Sequence, residues 1–242
     1  MSAATYAAHL DRIYAPATFA RKLGYLRHNL GPHLRAGQRV LEIGPGRGEL
    51  LALLQERNIT DVDIIERDPE LCRALNAQYR PTHLWNLDIE DLPTLRQHLR
   101  CYDVITMIQV LEHLRKETIA PLLQALYEHL AEGGVILAVV PNGGNPLCAV
   151  ERYADLTHVQ VFSEEALRQL VERAGLTDAT VTVTGYRIPP VSALNVLRIA
   201  AQGLLHFVMR LVLLANAGNT SRWLHPNIVL CVRKPARHPE AG

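Results

Sequence analysis

A turn that contains three glycines and follows a carboxylate is the most informative feature of this 242-residue sequence. Glu42 stands two residues before Gly44, and Gly46 and Gly48 follow at steps of two. Glycines let the backbone bend sharply and approach a ligand, and a helix that begins beyond them offers free N–H groups. The G-x-G-x-G spacing differs from the G-x-G-x-x-G of dinucleotide-binding turns, and Glu42 would repel a pyrophosphate but attract a cation. The turn therefore predicts a cofactor site for a ligand with positive charge.

Two further carboxylates follow predicted strands. Glu66 ends the run VDIIE, 22 residues after Gly44, and Asp88 ends the run THLWNLD. Ligands of open α/β sheets bind beyond the carboxyl ends of the strands, so both side chains could face the glycine turn. Without that context, either residue would be interpreted as an ordinary surface carboxylate.

Two histidines are candidates for a general base. His113 follows a predicted strand, and His158 lies in the segment YADLTHVQVFS, three residues after Asp155. Imidazole titrates near neutral pH, so either histidine could take the proton of an attacking hydroxyl group. Asp155 is expected to orient His158, and His158 is favoured over His113 as the base.

Short apolar runs alternate with helical periods from residue 39 onward. The predicted strands are residues 39–44, 62–66, 82–88, 102–108 and 133–141, and the predicted helices are residues 48–58, 69–79, 117–130 and 163–176. Strands that are apolar throughout and are separated by helices indicate βαβ units in a doubly wound parallel sheet. Residues 177–186 alternate like an antiparallel edge strand, and residues 226–235 predict a last strand.

Residues 39–141 resemble the core of class I S-adenosylmethionine-dependent methyltransferases, whose first motif reads E/D-x-G-x-G-x-G. The resemblance implies that Glu66 binds both ribose hydroxyls, that Asp88 accepts from the adenine amino group, and that Ile89 packs on the ring. Two carboxylate oxygens match two vicinal hydroxyls. The cofactor-binding residues expected from the resemblance are Glu42, Gly44, Gly46, Gly48, Glu66, Arg67, Asp88, Ile89 and Gln109.

The segments VLEHL (110–114) and GGVILAVVPN (133–142) resemble the branch that contains ubiquinone-biosynthesis O-methyltransferases and many glycan and small-molecule methyltransferases. The resemblance implies a Rossmann-like, doubly wound, seven-stranded, mostly parallel sheet with an antiparallel C-terminal strand and a helical cap. We expect methylation of a hydroxyl oxygen on a small molecule, sugar or lipid-linked acceptor. The alternatives are a nucleotide-dependent oxidoreductase, which the glycine spacing disfavours, and a non-catalytic cofactor-binding partner module.

Some relatives in this branch bind a divalent metal through E-x-x-E-H. In this chain Gln109 replaces the first Glu, whereas Glu112 and His113 remain. The loss of one anionic oxygen weakens a site for a hard cation such as Mg²⁺, so no metal ligand is assigned and a metal is not favoured. The plainer interpretation is that Glu112 and His113 cap and pack the following helix.

Four segments divide the chain: an N-terminal helical cap at 1–38, the methyltransferase core at 39–186, an apolar helical acceptor cap or membrane-facing insertion at 187–225, and a final strand and tail at 226–242. Within 192–218 the polar residues form one narrow stripe on an otherwise apolar helix. The members of this stripe are Asn195, Arg198, Gln202, His206 and Arg210. So wide an apolar face must be covered by the protein's own core, a second subunit, a hydrophobic acceptor or a membrane surface. Its arginines argue against a bilayer-spanning helix.

Composition narrows the partners and the compartment. The chain has 25 Lys+Arg and 24 Asp+Glu, a net charge of +1, which disfavours a dedicated nucleic-acid binder. Its four cysteines are scattered without C-x-x-C spacing, which indicates a reducing compartment, and the first residues lack the apolar core of a signal peptide. We therefore expect a cytoplasmic protein, with peripheral membrane contact through 192–215 and a homodimer both left open.

Overall fold

The computed structural model describes residues 16–153, 155–218 and 221–236, and it contains a seven-stranded sheet with helices on both faces. The strands are β1 Arg39–Ile43, β2 Asp61–Glu66, β3 His83–Asn86, β4 Tyr102–Ile108, β5 Leu130–Pro141, β6 Thr180–Gly185 and β7 Asn227–Arg233. The helices are α1 Pro16–Asn29, α2 Glu49–Glu56, α3 Pro69–Tyr79, α4 Leu92–His98, α5 Lys116–Glu128, α6 Ala149–Tyr153, α7 Glu164–Arg173 and α8 Ala193–Ala217.

The strand order is β3-β2-β1-β4-β5-β7-β6. Strands β1 to β5 pair in parallel, whereas β7 runs antiparallel to both β5 and β6. The order reverses between β1 and β4, and in sheets of this kind ligands bind at the carboxyl ends of the strands beside that point. The predicted Rossmann-like fold is confirmed, including the edge strand within 177–186 and the last strand within 226–235.

The two faces of the sheet bury two hydrophobic clusters. Side chains alternate along a strand, so Val40 packs on one face of β1 and Leu41 on the other. The face of Val40 is covered by α1, α2 and α3, and the face of Leu41 by α4, α5 and α7. Burial of both faces explains why the central strands are apolar throughout.

Local signals set the bounds of several helices. Asp68 caps α3 by accepting a hydrogen bond from the Glu70 N–H at 2.8 Å, and Pro69 occupies the first turn. Ser163 caps α7 by accepting from the Ala166 N–H at 3.1 Å, and Gly175 follows that helix with a φ of 72°. The predicted start and end of α7 are confirmed.

At the amino-terminal end, α1 and a short 3₁₀ turn at Gly31–His33 form part of the helical cap predicted for 1–38. Residues 1–15 of that segment and residues 237–242 of the predicted tail lie outside the described residues. The sequence analysis assigned no helix to α4 or to α6.

The predicted apolar helix forms as α8, with Ser192 as its cap. Its buried residues, in this fully described helix, are His206 and Met209, so of the coverings that the sequence left open, the protein's own core does not cover the apolar face. Among the described residues, α8 is the one helix long and apolar enough to cross a membrane by length and composition, and 6% of its most apolar window is buried.

Candidate active site

The glycine turn joins the carboxyl end of β1 to α2, and its backbone requires glycine. Gly44, Gly46 and Gly48 have φ values of 66°, 56° and 82°, which L side chains rarely adopt. A Cβ at Gly44 would lie 2.8 Å from Val110 Cγ2, and one at Gly48 would lie 2.4 Å from Tyr79 Cε2. A Cβ at Gly46 would meet no atom within 4 Å, so the turn leaves space there for a ligand.

A narrow cavity of about 90 Å³ opens beside this turn, beyond the carboxyl ends of β1, β2 and β4. Seven of the nine residues predicted to bind the cofactor line it, namely Gly44, Gly46, Glu66, Arg67, Asp88, Ile89 and Gln109. Of the other two, Glu42 lines a neighbouring cavity, and Gly48 lines neither of these two cavities. The structure therefore brings the acidic residues together below the turn, although their individual roles remain predictions.

The two carboxylates of the narrow cavity are held by backbone N–H groups. Glu66 is 6% exposed, and its Oε1 accepts from the Asp68 N–H at 2.8 Å. Burial is the main cause that raises the pKa of Glu66. Asp88 is exposed, and its Oδ1 accepts from the Glu90 N–H at 2.9 Å. Each carboxylate is thus positioned while retaining acceptor capacity for a ligand.

The neighbouring cavity is wider, about 510 Å³, and two buried acidic residues line it. Glu42 is 2% exposed, and its Oε2 has no hydrogen-bond partner among the described residues. Burial and the nearby charge of Glu49 raise the pKa of Glu42 well above its usual value. Lys22 Nζ lies 3.7 Å from Glu49 Oε1. A buried, unpaired carboxyl group is costly unless a cation joins it, so this wall suits a positively charged ligand group.

Gly44, Gly46, Gln109 and His113 line both cavities, so these residues mark the junction between them. His158, Asp155 and Glu151 line the wider cavity. The structure therefore brings the three residues predicted to be catalytic to one region, with His113 nearest the narrow cavity.

The hydrogen bonds of the two histidines determine which ring nitrogen carries the proton. His158 Nδ1 lies 2.8 Å from the carbonyl oxygen of Glu151. A carbonyl oxygen only accepts, so Nδ1 of the neutral ring carries the hydrogen and Nε2 keeps its lone pair. The His113 and His158 rings meet edge to face with centroids 4.7 Å apart.

Asp155 orients His113 through Thr157, and the prediction that its carboxylate orients His158 is wrong. Thr157 Oγ1 donates to Asp155 Oδ1 at 2.6 Å, so it accepts from His113 Nδ1 at 2.9 Å. The three-residue spacing instead places the Asp155 carbonyl oxygen on the His158 backbone N–H. Burial and then the charge of His158 lower the pKa of His113, which keeps the imidazole neutral at pH 7.

Glu112 is the most deeply buried acidic residue near the histidines. Both of its carboxyl oxygens lack a hydrogen-bond partner among the described residues, and burial raises its pKa to about 8. Glu112 and His113 form a 3₁₀ turn, and α5 begins later with Arg115 at its cap position. The prediction that they cap this helix is therefore wrong.

Glu112, His113 and His158 each offer one atom that could bind a metal ion, and these atoms lie within 4.8 Å of one another. Gln109 is not a member of this set. Its amide nitrogen donates a hydrogen bond to Asn227 Oδ1 at 3.1 Å. A carboxyl group must lose its proton before it binds a cation, so the affinity of this set for a metal ion would depend on pH.

Several residues that line the wider cavity or hold its histidines were not predicted from the sequence. These are Lys22, Glu49, Glu151, Thr157, Tyr186 and Asn227. Glu49 could have been found, because it follows the glycine turn directly. No local signal identifies Tyr186 or Asn227, which reach the cavity only because β7 lies between β5 and β6.

Comparison with known proteins gives one family match. The family described as "Methyltransferase domain" matches residues 12–181. A comparison with curated proteins found no match.

Solved structures of similar fold cover most of the chain. A SAM-dependent methyltransferase from Archaeoglobus fulgidus has 20% identity and a TM-score of 0.62, over 88% of this chain and 94% of that chain. The plantazolicin methyltransferase BpumL in complex with SAH has 17% identity and a TM-score of 0.58, over 96% and 89%. An S-adenosylmethionine-dependent methyltransferase from Mesorhizobium loti has 14% identity and a TM-score of 0.60, over 87% and 98%.

Proposed function

Because the chain belongs to the methyltransferase domain family and is a class I S-adenosylmethionine-dependent methyltransferase, we propose that it methylates a hydroxyl oxygen of its acceptor. Membership of this family supports an enzyme and argues against the alternatives of a nucleotide-dependent oxidoreductase and of a non-catalytic module. The observation that carries the proposal is the position of His113, which lines both cavities and keeps an unprotonated Nε2. A base is thereby available where the narrow cavity meets the wider one.

The residues of the narrow cavity fit S-adenosylmethionine, which supplies an electrophilic methyl group on a sulfonium. In our proposal Glu66 accepts from the two ribose hydroxyls, and Asp88 accepts from the adenine amino group. Support comes from the buried carboxylate of Glu66 and from the space at Gly46, where a Cβ would meet nothing. Arg67 and Ile89 complete the walls of this cavity.

The cationic part of the cofactor would be held by the acidic wall. Glu42 has an unpartnered buried oxygen, and Glu49 lies beside it at the start of α2. Burial and the nearby charge of Glu49 raise the pKa of Glu42, and a cation that binds beside this carboxyl group offsets that cost. We therefore propose that Glu42 contributes to cofactor binding by attracting the positive charge of the cofactor.

His113 is proposed as the general base, with His158 beside it. His113 Nε2 would take the acceptor O–H proton as the oxygen accepts the methyl group that bound S-adenosylmethionine would supply, with a neutral thioether as the leaving group. Thr157 and Asp155 hold the Nδ1 proton and stabilise the imidazolium that results. The sequence favoured His158, but His158 lines only the wider cavity of the two.

The test is the chemical identity of the methylated product. Full-length protein is incubated with methyl-labelled S-adenosylmethionine and fractionated extract, and the labelled product is treated with base. We expect a methyl ether, whose label resists base, and loss of labelling in the His113→Asn variant. A base-labile methyl ester, an N-methyl product, or full labelling by His113→Asn would overturn the hydroxyl assignment.

A further inference from the structure

Helix α8 directs its apolar side chains outward, whereas a surface helix usually directs them towards the core. Its large apolar side chains are exposed, with Leu204 67% and Phe207 58% accessible. The other exposed large apolar side chains of the helix are Leu194, Val196, Leu197, Ile199, Leu205, Val208, Leu211, Val212 and Leu214. A continuous apolar face of this size is uncommon on a soluble monomer and marks a surface that another body covers.

Members of the polar stripe bond to residues that flank α8 on either side in the chain. Asn195 Nδ2 donates to the Pro189 carbonyl oxygen at 2.8 Å, and the Arg210 guanidinium donates to the Arg222 carbonyl oxygen at 3.1 Å. Between these contacts, the His206 ring lies 5.0 Å from the ring of His225. These contacts turn the polar stripe towards the flanking residues and leave the apolar face outward.

The helix belongs to an insertion at the same edge of the sheet as the two cavities. The chain leaves β6 at Gly185, which pairs with Ile228, and re-enters the sheet at Asn227, which pairs with Pro141 at the carboxyl end of β5. Tyr186 and Asn227, at the two ends of the insertion, line the wider cavity. The insertion that carries the apolar face of α8 therefore borders the wider cavity, where an acceptor would enter.

A second exposed apolar segment leaves this edge. Leu147, Val150, Tyr153, Leu156 and Val159 are all exposed, and Leu156 is 99% accessible. The same stretch carries Glu151, Asp155 and His158, which line the wider cavity. Two segments with exposed apolar side chains thus also contribute residues to the lining of the wider cavity, or adjoin residues that do.

The charge of the residues around α8 indicates which kind of partner covers its apolar face. The sequence between Asp178 and Glu240 contains no Asp or Glu, although the whole chain is nearly neutral. Within the insertion the cationic residues are Arg187, Arg198, Arg210 and Arg222. A second copy docked on the same face would bring these arginines together with no carboxylate to pair them, whereas anionic lipid headgroups complement them.

The geometry fits a helix that lies along a membrane. The 25 residues of α8 make a rod of about 37 Å, long enough to span a bilayer. However, both ends of the insertion return to one edge of the sheet, and the stripe is bonded to residues that flank the helix. An apolar face flanked by arginines is typical of an in-plane interfacial helix.

We propose that the apolar face of α8 docks on an anionic lipid bilayer and that the acceptor is an amphiphile whose hydroxyl group reaches the wider cavity from that bilayer. The proposal that α8 docks on a bilayer does not depend on the reaction that the protein catalyses. The proposal that the acceptor is an amphiphile rests on the proposed function. The arginines contact headgroups, and Leu204 and Phe207 enter the acyl boundary.

The test uses the full chain and sedimentation with vesicles of phosphatidylcholine, with or without phosphatidylglycerol. We expect binding to the anionic vesicles that weakens with salt and falls at least about tenfold in the double variant Leu204→Glu/Phe207→Glu, since two apolar side chains lose their burial. The matched control is Ala74→Glu/Ala77→Glu, which adds the same charge at exposed positions of α3 and should bind as the wild type does.

Two readouts separate docking from catalysis. Calorimetry with S-adenosylmethionine should give the same affinity for the Leu204→Glu/Phe207→Glu variant as for the wild type, because α8 contributes no residue to the narrow cavity. Equal vesicle binding by this variant, or no binding by the wild type, would overturn the docking and leave methyl transfer untouched. A dimer that the same double variant dissociates, without vesicle binding, would identify a second copy as the occupant instead.

Discussion

The imidazole rings of His113 and His158 meet edge to face at 4.7 Å, and each ring directs its Nδ1 to a different partner. The partner of His113 is the Thr157 hydroxyl, and that of His158 is the Glu151 carbonyl oxygen. Both Nε2 atoms are therefore left as acceptors, and both residues line the wider cavity. One ring can take a proton while the other stays neutral beside it.

Replacing His113 by asparagine should slow methyl transfer with little effect on cofactor affinity. A positioned general base contributes about 10²–10⁴ in rate, so we expect kcat to fall by at least about 100-fold. Initial rates and calorimetry measure the two effects. The matched control is His98→Asn, which removes a ring that lines neither cavity and bonds to the Thr94 carbonyl oxygen. A fall of equal size in the control, or none in His113→Asn, would contradict the assignment.

Thr157 is expected to be a positioning residue for His113. Its loss in Thr157→Val removes the hydroxyl that accepts from His113 Nδ1 and links the ring to Asp155, and a hydrogen bond of this kind favours the charged ring, so the imidazole becomes a weaker base. We expect kcat to fall about tenfold, and the acidic limb of the pH–rate profile to move to lower pH, because activity requires the neutral ring. Thr157→Ser should restore both. An unchanged acidic limb in Thr157→Val would show that the threonine acts only structurally.

Gly44→Ala should impair both folding and cofactor binding. The substitution forces a Cβ into an unfavourable φ of 66° and against Val110 Cγ2, which together cost about 2–3 kcal/mol. Gly37→Ala is the matched control, because its φ is 81° but a Cβ there meets nothing within 4 Å. Thermal unfolding should therefore show a larger loss for Gly44→Ala, and calorimetry should show weaker binding for it alone. Equal losses of stability would mean that backbone strain is the whole effect.

Acid should loosen the attachment of α8 through His225. Burial lowers the pKa of His225 to about 4, and the charges of His206, Arg187 and Arg210 act in the same direction. The unfolded chain, with a histidine pKa near 6.5, binds more protons between these values, so this stability is complete above pH 6.5 and is lost as the pH falls towards 4. We expect a contribution of about 1–2 kcal/mol after allowing for partial exposure.

Denaturant unfolding at several pH values measures this effect. His225→Asn should flatten the loss of stability below pH 6.5, whereas His28→Asn, at an exposed position of α1, should leave it unchanged. If both variants follow the wild-type curve, His225 does not hold the helix through its neutral ring.

The sequence predicted those parts of the fold whose signals are local. The bounds of α3 agree with the predicted 69–79 because Asp68 and Pro69 specify its start. Residues of the narrow cavity could also be predicted from the sequence, because Gly44, Glu66 and Asp88 lie at the ends of strands or just after them, and the parallel strands bring their carboxyl ends together.

Other parts depended on geometry that no spacing encodes. Asp155 precedes His158 by three residues, yet its carboxylate bonds to Thr157, because the loop turns the side chain towards His113. The orientation of α8 was equally hidden. A polar stripe ordinarily faces water, but here His206 is buried and Leu204 is exposed, which only the packing on His225 shows.

The central claim is that the acidic groups at the carboxyl ends of the strands bind the cofactor, and Glu66→Gln tests it most directly. Calorimetric titration with S-adenosylmethionine should show an affinity at least about tenfold lower, because a charge-assisted hydrogen bond contributes about 1.5–3 kcal/mol. Glu70→Gln, an exposed carboxylate on α3, serves as the control and should bind as the wild type does. An unchanged affinity in Glu66→Gln would contradict the account.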